Sequence, residues 1–171
     1  MRVIAIDIGL TGAIASVDTR GNSRIDDIPT LSAEEPSKQA KRRIDGAGLA
    51  EILRAHVPAD DTAMLLIEDV QARPFGRQNG AEHGNSMQSQ GSLMRSRGVV
   101  EGVADCLRLK ITVVQPQVWK KFFGLIGKPK DQARLVAIDL YEQHGKELGR
   151  KKDGNRADAL LIAHWGARLL T

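Results

Sequence analysis

Four acidic side chains are the ones best placed to do chemistry in this chain of 171 residues: Asp7, Glu68, Asp153 and Asp158. Asp7 closes the apolar run Val3-Ile4-Ala5-Ile6 and Glu68 closes Met64-Leu65-Leu66-Ile67, while Asp153 and Asp158 stand at the mouth of the last helical stretch. A carboxylate just past a buried strand sits at the edge of a sheet, where a parallel or mixed sheet opens a crevice. Several carboxylates converging there make a site for hard divalent cations, which prefer oxygen donors. Each position also has a plainer reading. Asp7 can cap a turn, and Asp153 or Asn155 can cap the helix that follows. Capping explains Asp158 less well, because it lies inside an otherwise apolar helical onset and needs a reason to face inward. Glu68 is followed directly by Asp69, and alternation along a strand sends the two to opposite faces.

The elements that must carry these groups follow from apolar spacing and turn chemistry. Strands are expected at Arg2 to Asp7, Ala13 to Val17 and Arg24 to Ile28, joined by the Gly9 to Gly12 turn and by Asp18 to Asn22, which makes an antiparallel start. Pro29 to Arg43 is polar, with Pro36 and a basic run, and reads as an irregular connection. Helical spacing runs from Gly48 to His56, and Ala63 to Glu68 is a continuous buried strand. Val70 to Gln90 is rich in Gly, Asn and Gln with almost no apolar period, and reads as a long surface segment. A helix is expected over Ser92 to Leu109, a strand over Ile111 to Val114, helices over Gln117 to Phe123 and Asp131 to His144, and a final helix over Ala157 to Leu170 with one apolar face. This order predicts an α/β fold of one domain spanning 1–171. Its five-stranded mixed sheet has three antiparallel strands followed by parallel ones, with helices on both faces.

Charge and composition narrow the partners. Lys and Arg number 25 against 21 Asp and Glu, a net charge of +4, and the pI is near 9.4. The basic residues cluster at Lys38 to Arg43, Arg73 to Arg77, Lys120 to Lys130 and Lys146 to Arg156. An acidic centre in a basic surround suits an enzyme that holds metal against a phosphate backbone. Cys106 is the single cysteine, so no internal disulfide forms. With no charged-then-apolar leader before Met1-Arg2-Val3, a reducing, cytoplasmic setting is the expectation. The apolar runs are too short to span a bilayer. His56, His83, His144 and His164 make no zinc spacing with Cys106, and Trp119 and Trp165 read as core or interface residues.

Asp7-Ile8-Gly9-Leu10-Thr11-Gly12 by itself also opens the actin-like ATPase fold, but that architecture has two duplicated domains and a second Gly-rich phosphate loop. Taken with Ile67-Glu68-Asp69-Val70, Gly91 through Glu101-Gly102, Val114-Gln115-Pro116-Gln117-Val118-Trp119-Lys120-Lys121, Lys151-Lys152-Asp153 and Arg156-Ala157-Asp158-Ala159-Leu160-Leu161-Ile162-Ala163, it resembles the RuvC family of Holliday junction resolvases. The similarity is greatest to the phage-encoded and chloroplast-like branch, and it runs along nearly the whole chain. It implies a ribonuclease-H-like fold, a homodimer, and paired, Mg2+- or Mn2+-dependent nicking of symmetric strands at four-way and other branched DNA junctions, with two ions per site and no nucleotide cofactor. The setting it implies is a bacterial cell or a phage-infected host.

Carried over by position, the resemblance implies Asp7, Glu68 and Asp158 as metal ligands and Lys130 as a basic residue near the scissile phosphate. The family's fourth ligand falls in the window of Asp153, Gly154 and Asn155. Asn155 stands at the family's usual spacing but is a weak neutral ligand, and Asp153 is the strong ligand in the window. The aromatic that follows the second acid in bacterial members is replaced by Gln71, with Phe75 as a possible substitute or a locally packed loop residue. Arg73, Arg77, Lys120, Lys121, Lys130, Lys151 and Lys152 are the expected phosphate contacts, and any base preference would come from Gln71 to Gln90. The expected dimer helix is Ser92 to Leu109, where Gly98 and Gly102 permit close approach; packing on the sheet is the alternative. Two rival functions remain: a junction-binding protein with weakened catalysis, and an actin-like phosphotransferase.

Overall fold

The computed structural model describes residues 1–32, 42–57, 62–69, 76–78, 81–83 and 87–170. The expectations placed on Gln71, Arg73 and Phe75 lie outside the described residues, as do the side chains of Arg77 and His83. In chain order the elements are β1 (Arg2–Asp7), β2 (Ala13–Asp18), β3 (Ser23–Asp27), β4 (Thr30–Ser32), β5 (Arg42–Ile44), α1 (Gly46–His56), β6 (Ala63–Glu68), β7 (Gly76–Gln78), β8 (Ala81–His83), α2 (Met87–Cys106), β9 (Lys110–Val114), α3 (Pro116–Phe122), α4 (Gln132–Leu140) and α5 (Gly154–Arg168). Single turns of 3-10 helix cover Glu142–His144 and Lys151–Asp153.

Five strands form one mixed sheet in the order β3-β2-β1-β6-β9. β1, β2 and β3 pair antiparallel, and β6 and β9 add parallel to β1. Side-chain alternation then gives the sheet two apolar faces. Val3, Ala5, Ala15 and Leu66 pack against α5 and α4 on one face, while Ile4, Ile6, Leu65 and Ile67 pack against Leu49 and Leu53 of α1 and Val100 and Ala104 of α2 on the other. The sheet and its helices on both faces match the expectation from the sequence.

Several local expectations need correction. Thr30 to Ser32 and Arg42 to Ile44 are not irregular but pair as an antiparallel ribbon, with Thr30 opposite Ile44 and the Arg42 guanidinium donating to Thr30 Oγ1 at 3.2 Å from Nε. Strands of three residues are too short to show a period of two. Within Val70 to Gln90, β7 and β8 form a second such ribbon, and α2 already begins at Met87. The first described turns of α2 bury little apolar surface, so no periodic signal marks them. α5 begins at Gly154 rather than Ala157, and it is buried almost all round because α4 and α3 cover the side turned away from the sheet. Gly166 makes the close seat of α5 possible: a Cβ there would stand 2.5 Å from Leu66 Cδ1 and 2.8 Å from Val3 Cγ1. Among the described residues no helix is long and apolar enough to cross a membrane.

Candidate active site

Sheet register brings the first two carboxylates together. Ile6 and Ile67 are direct partners in the parallel pair β1–β6, so Asp7 and Glu68 leave the sheet at neighbouring strand ends, with the strands about 4.8 Å apart. Parity then chooses the face. Asp7 follows Val3 and Ala5, and Glu68 follows Leu66, all on the side covered by α5. Asp69 turns the other way, toward α2, where its Oδ1 lies 3.8 Å from Arg97 Nη1. After Asp7 the chain makes the turn Gly9 to Gly12, in which Gly12 N–H donates to Gly9 O at 3.1 Å. Only glycine fits at position 12, because a Cβ there would stand 2.0 Å from Asp7 O.

Asp158 completes the group from the first turns of α5, and the electrostatics show how closely the side chains act on one another. The Asp7 carboxyl is pushed up to about 7, first by burial and then by the charges of Asp158 and Glu68, against the opposing pull of Lys130 and Lys120. Asp158 is pushed up to about 6, again by burial first and by Glu68, with Lys120 and Lys130 opposing. Burial and like charge both disfavour ionised carboxylates, and nearby cations favour them. Three acids and two lysines thus share one field, and the raised proton affinity of Asp7 and Asp158 marks a place where a cation would be welcome.

Glu68 has a fixed partner that the sequence did not reveal. Trp119 Nε1 donates to Glu68 Oε1 at 2.9 Å, from an indole that is fully buried in α3. Lys120 Nζ lies 5.1 Å from the centre of the same ring. Trp119 is a core residue, as expected, but its one polar atom faces the acidic group. Its place directly after β9, the strand beside Glu68, was the available signal.

The structure does not bring Asp153 into this group. Its carboxylate is buried and turned into a basic clamp: Arg150 N–H donates to Oδ2 at 2.8 Å, Arg150 Nη2 donates to Oδ1 at 2.8 Å, and Arg156 Nη1 stands 3.7 Å from Oδ1. These arginine contacts, the side-chain hydrogen bond of Arg150 foremost, hold the carboxyl down at about 2. Asp153 is also not a side-chain cap for α5. The arrangement has a simple cause, since a carboxylate paired with two guanidinium groups gains nothing by turning toward other anions. Asn155 is engaged as well, donating through Nδ2 to Thr11 O at 2.8 Å.

Of the expected phosphate contacts, Lys120 and Lys130 flank the acids. Lys151 and Lys152 line an open depression with Lys130, Asp131, Gly154 and Asn155. A neighbouring depression shares Lys152 and Asn155 and adds Arg42, Arg150 and Arg156, three arginines for which no individual role was expected. Lys121 is exposed in the last turn of α3. On α2, Ser96, Val100 and Ala104 are buried, whereas a Cβ at Gly98 or Gly102 would meet nothing within 4 Å.

The donor set of Asp7, Glu68 and Asp158 fits a hard divalent cation in chemistry and in field. Among the described residues, however, no three His, Cys, Asp or Glu side chains stand close enough together to hold an ion as they are. Closing on one requires side-chain movement, and Glu68 has its Oε2 to offer while Oε1 stays on the indole.

No protein-family model matches the sequence, and no curated protein matches it. Solved structures do. The structure of Thermus thermophilus RuvC in complex with a Holliday junction substrate is similar to this chain with a TM-score of 0.52 and 19% identity, covering 99% of this chain and 96% of that one. The fold is that of RuvC. A second Thermus thermophilus RuvC structure gives a TM-score of 0.53 at 16% identity, covering 100% of this chain and 98% of that one. In this RuvC fold, which is ribonuclease-H-like, the acidic group lies at the ends of β1 and β6 under the start of α5.

Proposed function

We propose that this chain is a structure-selective DNA endonuclease that resolves four-way and other branched junctions by divalent-metal-dependent nicking of symmetric strands. The observation that carries the reading is the trio Asp7, Glu68 and Asp158, in which Asp7 and Asp158 are desolvated and feel the charge of Glu68, opposed by Lys120 and Lys130, on a fold shared along nearly its whole length with a protein solved on a Holliday junction substrate.

The three carboxylates Asp7, Glu68 and Asp158 would hold the ions, and Asp7 lies under the charges of both of the others. Divalent ions held there would supply an activated water and would neutralise charge on the phosphate and the leaving oxygen. The protein's own contribution is placement. Trp119 keeps Glu68 in one orientation, Lys130 and Lys120 balance the anionic phosphate brought against the acids, and Lys151 and Lys152 guide the strand along the depression beside Lys130. Two symmetric cuts call for two sites related by a two-fold axis, which a homodimer provides; α2, with Gly98 and Gly102 facing away from the sheet, is the proposed contact.

A second reading has an observation in its favour. The acids do not converge on one point, and Asp153 and Asn155 are both engaged elsewhere, as in a junction-binding protein whose catalysis is weakened. Incubating a synthetic four-way junction with the protein and Mg2+ or Mn2+ separates the two. Paired nicks that vanish on chelation and in Asp7→Asn support the nuclease; tight binding with no nicks in either metal supports the second reading.

A further inference from the structure

Asp7 sits on a strand end and Asp158 on a helix across from it, so their separation depends on how the two elements are tied. Beside the Arg156–Asp27 pair, which joins the start of α5 to the end of β3, a side-chain contact joins α5 to the Asp7 turn itself. Asn155 Nδ2 donates to Thr11 O at 2.8 Å and to Thr11 Oγ1 at 3.3 Å. A backbone carbonyl can only accept, so the nitrogen of the carboxamide, and not its oxygen, must face Thr11. Thr11 belongs to the turn that folds back onto Asp7. That turn is closed by Gly12 N–H to Gly9 O at 3.1 Å and held from the far side by Ile28 N–H to Gly12 O at 3.1 Å. At the other end of the contact, Asn155 precedes Asp158 by three residues, and helix geometry puts the two on one side of α5, a turn apart. Asp153 offers no alternative tie, because Arg150 and Arg156 hold it.

We infer that Asn155 is a positioning residue: its carboxamide clasps the Asp7 turn to the helix that carries Asp158 and so sets the spacing of the two acids, rather than serving as a neutral ligand to an ion. The consequence for catalysis rests on the nuclease reading above, whereas the clasp itself does not. The inference separates two views of position 155 that predict opposite results for one substitution. If the residue were a weak ligand, a carboxylate would be a stronger one. If it is a clasp, a carboxylate loses the only donor and sets its oxygens against Thr11 O, an acceptor facing an acceptor.

The test compares the full-length protein with Asn155→Asp, Asn155→Ala and Thr11→Val, each checked for a cooperative melt. Amide hydrogen exchange over residues 9–12 is read without metal, and Mn2+ binding is read by calorimetry. The clasp predicts exchange roughly five- to tenfold faster at Gly12 in both Asn155 variants, the loss of about one hydrogen bond. It also predicts Mn2+ binding and junction nicking weaker by roughly 10- to 100-fold in both, the usual effect of removing a group that holds a ligand in place. Thr11→Val keeps the carbonyl acceptor and loses only the longer contact to Oγ1, so its exchange and Mn2+ binding change less than those of either Asn155 variant. Tighter Mn2+ binding in Asn155→Asp than in the parent would overturn the inference, and so would unchanged exchange in Asn155→Ala. Should the parent protein nick no junction, the nuclease reading fails while the exchange measurement still decides the clasp.

Discussion

Asp153 and Asp158 stand five residues apart and enter the same helix, yet their surroundings drive them in opposite directions. Asp158 faces Glu68 and Asp7 in a partly desolvated corner and is pushed up to about 6. Asp153 faces Arg150 and Arg156 and is held at about 2. The first arrangement keeps carboxylates under tension that a cation would relieve, and the second has already found its cations in the protein. Type and position in the sequence make the two residues look equivalent. What separates them is which groups the fold turns toward each one.

The comparison breaks most visibly in catalysis. Asp158→Asn and Asp7→Asn are each expected to reduce junction nicking by at least about 10³-fold while leaving junction binding in place, since both remove a group asked to supply several kcal/mol at the transition state. Asp153→Asn is expected to keep nicking within about tenfold of the parent. Single-turnover assays on a labelled four-way junction measure both, and equal losses in Asp153→Asn and Asp158→Asn would erase the distinction.

Stability should show the reverse order. Asp153→Asn removes the charge and turns one of two acceptor oxygens into a donor facing Arg150, and is expected to cost about 2 kcal/mol, a fall of roughly 4–8 °C in Tm for a chain of this size. Asp7→Asn, measured in chelator at pH 8, is expected to raise Tm because it deletes one of three repelling charges. Differential scanning calorimetry of both variants compares them directly.

The pH dependence of unfolding sharpens the same contrast. Asp7 and Asp158 hold protons in the folded chain up to about pH 7 and about pH 6 that an unfolded aspartate has already lost near 3.8. Without divalent ions, stability therefore falls as pH rises through the window from about 4 to 7, and added Mg2+ should flatten that slope. Asp153 has the opposite sign. Its contribution is complete above the unfolded value of 3.8 and is lost as pH falls toward about 2. Urea titrations at a series of pH values, with and without Mg2+, test both limbs.

The smallest effect concerns the partner of Glu68. Trp119→Phe preserves most of the buried ring and removes only the donor, and it is expected to lower kcat by about tenfold with little change in KM. An equal loss in Trp119→Phe and Asp7→Asn would show that the indole does more than hold Glu68.

Much of this layout was legible beforehand because it follows from short-range rules. Runs such as Val3 to Ile6 and Met64 to Ile67 must be buried strands, and alternation along Ile67-Glu68-Asp69 correctly sends Glu68 and Asp69 to different faces. The β4–β5 ribbon and the early start of α2 were not legible, since three-residue strands and polar helical turns carry no periodic signal. Trp119 was read as a core or interface residue, and the one hint that its N–H meets Glu68, fifty-one positions earlier in the chain, was its place in the segment after β9. Asp153 was assigned by elimination within a three-residue window, and the arginine that claims it, Arg150, lies just outside that window.

By itself, then, the chain specified which carboxylates end buried strands, which faces they take and how basic their neighbourhood is, because spacing, alternation and composition act over a few residues. Tertiary structure alone decided that β1 and β6 lie side by side in register, that α5 seats close enough through Gly166 to bring Asp158 over their ends, and that Asp153 and Asn155 are committed to Arg150 and Thr11 instead. Those outcomes depend on contacts between residues far apart in sequence, where burial and pairing compete over distances that no local pattern records.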